Sequence, residues 1–296
     1  MASGGKIRVA VDIGGTFTDI ALFLESGLIH QSKISSTPED PSRAVVDGVR
    51  SLLAELSIEP SAVAEVLHGT TVGSNTILQR SGAKTGLITT RGFRDVLEIG
   101  RIRMPDMFDL AWVKPQPLVP RRYRMEVTER MAADGTTVEP LSEASVIAAG
   151  KALVAEDIEA VAIAFINSYR NPAHELQAEA ILRANFPQLL VTTSCAVLPE
   201  MKEYERTSTT VVNAYLLSAM RTYLQKLESG LRSIGVAAPI LVMTSNGGML
   251  AANVTCEKPV LVVASGPAGG VIGAARLGIA RDDRDVIVFD MGGTTG

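Results

Sequence analysis

A chain of 296 residues that is 46% apolar and 20% charged, with a mean hydropathy of +0.22, has material for more than one small core, and two globular units are expected. Its net charge of -4, with both signs interspersed, and its 4% aromatic content provide neither a basic stripe nor stacking platforms, so nucleic acid is excluded as the expected partner. No run of about 18 uncharged apolar residues occurs, and the opening MASGGKIRVAV carries no signal segment; a cytoplasmic protein off the membrane, acting on small molecules, is expected.

Residues Lys6 to Leu24 read as two apolar strands, IRVAVDI and TDIALFL, joined by a Gly-Gly turn, which signals a hairpin and not a strand-to-helix crossover. Val45, Val49, Leu52 and Leu56 recur at helical spacing behind Thr37 and Pro38, predicting a helix over roughly Pro41 to Leu56. The strand AEVLH follows, then a helix opened by Thr70 or Thr71 and stopped at Gly82, the strand TGLITT and a short helix from Phe93 to Ile99. That βαβ alternation implies a mostly parallel sheet covered by helices. Pro105, Pro115, Pro117 and Pro120 mark an extended loop between Arg101 and Tyr123.

Beyond that loop the pattern predicts a hairpin in RMEVTERM turning at Ala133 to Gly135, then the helix SEASVIAAGKALVAE, the strand AVAIAFI and the helix AHELQAEAILRAN. A first domain is expected to close near Pro187. The second segment offers the strand LLVTTS, a helical tract from about Glu203 to Ser233, the strand PILVMTS and a turn at Asn246-Gly247-Gly248. A loop and helix at SGPAGGVIGAARLG and a last strand, DVIVFD, follow. Cys195 and Cys256 have no CxxC spacing and no paired histidines, which points to neither zinc nor disulfides.

VDIGGTFTD delivers Asp12 to a strand end, beside glycines that let backbone approach an anion and threonines that add hydroxyls. A phosphate with hydrated Mg²⁺ suits it: Asp12 holds the metal through water while Gly14, Gly15 and Thr16 contact phosphate oxygens and Thr18 lends a hydroxyl. Taken alone, the motif is equally an ordinary hairpin turn. FDMGGTT repeats it, with Asp290 as the second metal-organising carboxylate and Gly292, Gly293 and Thr294 as the second phosphate loop, and two such turns would clamp a nucleotide's phosphates. There is no GxxxxGK[ST], and the glycines lead into a strand where a dinucleotide fold needs a helix.

Between the loops, HGTTVGSNTIL places His68 at a strand end and Thr70 and Thr71 at a helix start, with Asn75 one turn on. His68 is a candidate catalytic residue and Thr70, Thr71 and Asn75 are candidate substrate residues; simple capping with a structural histidine is the alternative. Arg91, Arg94, Arg101 and Arg103 form a basic cluster in which Arg101 is a candidate substrate contact, unless the cluster is surface arginines paired with Asp95 and Glu98. Glu203 and Arg206 are expected to pair on a helix surface. Gly266 to Gly270 offer either another anion-binding helix start or close packing through small residues.

The paired loops resemble those of the actin/Hsp70/sugar-kinase ATPase superfamily, in which two ribonuclease-H-like lobes each give a phosphate loop. The resemblance implies an α/β, ribonuclease-H-like lobe with a parallel or mixed sheet and helices, truncated at the start of the second lobe. More specifically, HGTTVGSNTILQRSGAKTGLITTRGFRDVLEIGR, PLVPRRYRMEVTERMAADG, LPEMKEYERTSTTVVNAYL, SNGGML and SGPAGGV resemble the hydantoinase A / 5-oxoprolinase family along practically the whole chain. Residues 1–187 then correspond to its N-terminal domain and 188–296 to the first part of the next. The family implies ATP and Mg²⁺ as cofactors, a cyclic amide (lactam or hydantoin) activated by phosphorylation before hydrolysis, and as partners the missing C-terminal half and a second subunit. An acetone-type ketone carboxylase and a nucleotide-gated binding module without chemistry are the alternatives, and the 296 residues alone are expected to be inactive.

Overall fold

The computed structural model describes residues 7–101, 109, 111–283 and 285–289. In chain order they form β1 (Ile7–Ile13), β2 (Phe17–Phe23), β3 (Ile29–Ser35), α1 (Pro41–Glu55), β4 (Val63–Thr70), α2 (Val72–Leu78), β5 (Thr85–Thr90) and α3 (Val96–Ile99). Next come β6 (Arg124–Val127), β7 (Arg130–Met131), β8 (Thr137–Glu139), α4 (Glu143–Ala155), β9 (Ala160–Ala164), α5 (Ala173–Asn185) and β10 (Leu190–Thr193). The chain continues through α6 (Ser194–Val197), α7 (Glu203–Ser233), β11 (Ile240–Met243), β12 (Met249–Ala251), α8 (Ala252–Glu257) and α9 (Ser265–Arg281). Two compact units result, one of Met1–Ser81 with Ala219–Gly296 and one of Gly82–Ser218.

The first unit is built on a six-stranded sheet in the order β12-β11-β4-β1-β2-β3. β11, β4 and β1 run parallel, while β2, β3 and β12 are antiparallel additions at the two sides. Strand periodicity sorts β1 into buried Val9, Val11 and Ile13 on one face and Arg8, Ala10 and Asp12 on the other. α1 turns Ala44, Val45, Val49 and Leu52 inward, and Gly48 lets it close on β2 and β3: a Cβ there would stand 2.3 Å from Ile20 Cδ1 and 2.8 Å from Ile34 Cδ1. The part of α7 in this unit buries Met220, Tyr223, Leu227 and Leu231, and α9 meets Met243 of β11 through Gly269.

The second unit holds a four-stranded parallel sheet, β10-β9-β5-β6, with α4 and α5 on it. β9 is buried along its whole length, as expected of a parallel strand covered on both faces. Among the described residues no helix is long and apolar enough to cross a membrane.

The opening hairpin, α1, α4, α5 and α7 lie where the hydrophobic pattern puts them. Other expectations need correction. α2 ends at Leu78 and not at Gly82, because Arg80 takes a left-handed φ of 52° and Ser81 N closes back on Thr76 O at 3.1 Å, terminating the helix. RMEV is not one arm of a hairpin: it pairs in parallel with β5, and the hairpin is the short β7–β8 pair around Gly135. Among the described residues, 285–289 of the expected last strand pair with no strand, and Ile287 and Phe289 are exposed; the rest of that motif lies outside the described residues. The two compact units interleave along the chain, because β11 joins β4 and returns the later segment to the first sheet.

Candidate active site

Antiparallel register sets Asp12 opposite Asp19 and Ile13 opposite Thr18, leaving residues 14–16 as the turn. Gly14 N donates to Phe17 O at 2.9 Å, and a Cβ on Gly14 would stand 3.0 Å from that same oxygen, so the glycine is required by space and not by φ. The segment after β3 pins the turn from outside. Ser36 N donates to Thr16 O at 2.9 Å, Ser36 Oγ donates to Gly14 O at 2.8 Å, and the same hydroxyl lies 3.0 Å from Thr18 Oγ1. Thr18 is therefore a buried support of the turn and offers no free hydroxyl to a ligand, while Gly15 and Thr16 are exposed.

Gly69, Asp12, Asp19 and Lys33 form one lateral row across β4, β1, β2 and β3. Two carboxylates side by side repel, and Lys33 Nζ relieves this by binding both oxygens of Asp19 at 2.8 Å. A Cβ at position 69 would come within 2.7 Å of Asp12 Oδ1, so the carboxylate has its place because residue 69 is glycine. The row floors a cavity of about 740 Å³ that reaches Met243 and the glycines at the start of α9. Asp19, Lys33, Gly69 and Ser36 were not legible as a group: each becomes meaningful only through a strand register or a loop contact.

The His68 ring is buried in the protein interior. It is 1% exposed, with Nδ1 3.3 Å from Val11 O and Nε2 2.5 Å from the Tyr223 hydroxyl. A carbonyl only accepts, so Nδ1 carries the proton and Tyr223 O–H donates to Nε2. Burial pushes the imidazole down to about 4, against which the Val11 bond works weakly, and the ring is neutral at physiological pH. Thr70 is likewise bound up: its N–H and C=O both meet Ser265 Oγ, at 3.3 and 3.0 Å, and its own Oγ1 accepts from Val72 N at 3.2 Å. Thr71 Oγ1 donates to Ile13 O at 3.0 Å and accepts from Asn75 Nδ2 at 3.2 Å, which sets Thr71 and Asn75 beside the Gly14–Gly15 turn.

The arginine cluster does not converge. In the second unit Arg101 is held by Glu205, Arg91 by Glu139 and Arg94 by Glu126, while Asp95 and Glu98 pair with Arg121 and Arg124; Arg103 lies outside the described residues. Glu203 and Arg206 do pair, but in the interior and not on the surface: Arg206 is 0% exposed and also donates to Phe165 O at 2.7 Å and Glu200 O at 2.9 Å. Asp290, Gly292, Gly293 and Thr294 lie outside the described residues.

Among the described residues no three His, Cys, Asp or Glu side chains gather as a metal cage. Mg²⁺ is nevertheless compatible with the site, because this ion takes one or two carboxylates and completes its shell with water and phosphate, and Asp12 is an exposed carboxylate at the cavity floor.

A mixed sheet led by a hairpin whose tip is an Asp-x-Gly-Gly-Thr turn, with helices on the sheet, defines an actin- and sugar-kinase-like ATPase lobe. The chain belongs to the hydantoinase/oxoprolinase family: the model of the hydantoinase/oxoprolinase N-terminal region matches residues 8–186 and that of hydantoinase/oxoprolinase matches residues 206–296. It is 36% identical to the caprolactamase subunit alpha of Pseudomonas jessenii over 98% of this chain and 42% of that protein. It is 32% identical to the 5-oxoprolinase of Saccharomyces cerevisiae over 98% of this chain and 25% of that protein. The nucleotide-free structure of acetone carboxylase, from work on ATP-dependent acetone carboxylation, superposes with a TM-score of 0.84 at 28% identity, covering 94% of this chain and 41% of that one. The chain thus spans well under half the length of these relatives.

Proposed function

We propose that this chain supplies the nucleotide-handling part of an ATP-dependent cyclic amidase. The observation that carries the reading is the Asp12–Thr16 turn, shaped by Gly14 and pinned by Ser36, with Asp12 lining the 740 Å³ cavity. Exposed amides at the turn suit phosphate oxygens, and Asp12 would hold Mg²⁺, whose chemistry is to neutralise charge on the phosphoryl group in transfer. Asp290 and Gly292–Thr294 repeat the motif and are assigned the second half of the same clamp. Family membership supports the substrate class, and the 36% identity to a caprolactamase subunit favours a lactam over a ketone. The activity is that of the intact protein, in the cytoplasm where ATP is available, working with a second subunit as the name of that relative suggests.

An unstrained amide is a poor electrophile, and phosphorylating its oxygen supplies the leaving group it lacks. The carbonyl oxygen bonds to the γ-phosphorus as the bond from that phosphorus to ADP breaks, and the ring nitrogen gives its proton to solvent. Water then adds to the carbon and the C–N bond opens with reprotonation of nitrogen, leaving an acyl phosphate that a second water converts to the amino acid and phosphate. In this scheme the chain's own residues position and neutralise: Asp12 and the turn fix the phosphates, and Thr71 and Asn75 border the turn where the carbonyl must approach.

Phosphate release from ATP, measured on the intact protein with lactams, hydantoins, and ketones plus bicarbonate, tests the reading. Ring-opened product formed one-for-one with ADP is expected. ATP turnover that responds only to a ketone with bicarbonate, or to a protein partner, contradicts it.

A further inference from the structure

Against the Gly14–Gly15 turn lies a second, smaller cavity of about 250 Å³, enclosed by the turn, the segment entering α1, and α2. It is below the size range of sites for drug-sized molecules, and a small ring suits it better than a nucleotide. Among the described residues no Asp, Glu, Lys, Arg or His lines it. Most of its hydroxyls are already engaged in the frame, Ser36 with Gly14 O, Thr37 with Asp40 O, Thr71 with Ile13 O and Thr76 with Val72 O.

The carboxamides are different. Thr71, Asn75 and Gln79 succeed one another at intervals of four along one side of α2. Asn75 gives one N–H to Thr71 Oγ1, and among the described residues its remaining N–H and oxygen, and the side chain of Gln79, have no partner in the protein. A carboxamide presents a donor beside an acceptor, the complement of the cis C=O and N–H of a cyclic amide. Both carboxamides share the cavity with Gly14 and Gly15, so a ring bound there keeps its carbonyl next to the turn assigned to phosphate.

We propose that this cavity holds the ring of an uncharged small cyclic amide and that the protein discriminates against rings bearing a carboxylate. The proposal rests on the amidase reading above and narrows it. A carboxylate entering the cavity gives up water, meets no cationic side chain and competes with the phosphate for the turn amides, and a charge left unpaired in a confined site costs far more than a neutral hydrogen bond returns.

The test compares 2-pyrrolidone with 5-oxoproline, which share a ring and differ by the carboxylate, and the seven-membered lactam with its ring carboxylate, as stimulants of ATP hydrolysis by the intact protein. The expected result is a kcat/KM at least tenfold higher for the uncharged member. Gln79→Arg, at an exposed rim position, is expected to shrink that ratio by at least tenfold, and Gln79→Glu to enlarge it. Equal or better use of the carboxylated ring by the unsubstituted protein, or a ratio unmoved by both substitutions, overturns the proposal and leaves the amidase reading standing. If no cyclic amide, charged or uncharged, stimulates ATP hydrolysis, the amidase reading falls and this proposal with it.

Discussion

His68 shows how one residue's role turns on which face of a strand it occupies. Strand alternation in β4 sets Val66, His68 and Thr70 on the side that meets Tyr223, and Leu67 and Gly69 on the side of Asp12. The sequence does not disclose this, since a parallel strand covered on both faces is apolar on both, and Leu67 looks as buried as Val66. Asp12 stands out in the sequence because its Asp-x-Gly-Gly-Thr pattern recurs at residues 290–294; the need for glycine at 69 does not, because it arises from contact with a strand more than fifty residues away. The buried imidazole also has a consequence for stability. Below about 6.5 the unfolded chain takes up a proton that folded His68 refuses until about 4, so stability falls as pH drops through that window and flattens beneath it. Denaturant unfolding of the intact protein at pH 7 and pH 4 is expected to show a loss greater than that of His68→Gln by roughly 3 kcal/mol. Equal losses in the two proteins contradict a neutral buried ring.

At the scale of elements, helices with one clear apolar stripe were read to within a residue or two, and α7 shows why: thirty-one residues without proline or an early stop leave no alternative. Short elements depart from their local sequence pattern where long-range pairing outweighs local turn signals. RMEV sits before a turn and reads as a hairpin arm, yet four ladder positions beside β5 fix it in a parallel sheet. α1 offers a test of packing against propensity. Alanine at Gly48 gains about 1 kcal/mol of helix preference, but its methyl would meet Ile20 and Ile34 at 2.3 and 2.8 Å, and overpacking of that kind costs about 1–3 kcal/mol. Gly48→Ala is therefore expected to lower the unfolding free energy by about 1 kcal/mol; a more stable variant in denaturant unfolding would show that the sheet yields freely beneath the helix.

At the scale of the molecule, the first unit is assembled from the segments before and after the second in sequence, with β11 joining the sheet that β1 begins. The sequence shows two Asp-x-Gly-Gly-Thr motifs at residues 12–16 and 290–294 without revealing that β11, beyond residue 218, returns to the first sheet. What that return achieves is a cavity whose floor comes from β1 to β4 and whose far wall comes from β11 and α9, with Asp12 at its base. The central claim is that this turn binds the phosphates of ATP and works on a metal-bound phosphoryl group. ATP hydrolysis by the intact protein carrying Asp12→Asn, measured in the presence of its stimulating cyclic amide, tests it most directly. A fall of about 100-fold or more with an unchanged unfolding transition is predicted, in line with the loss of one charge-stabilising group; turnover within twofold of the unsubstituted protein would contradict the account.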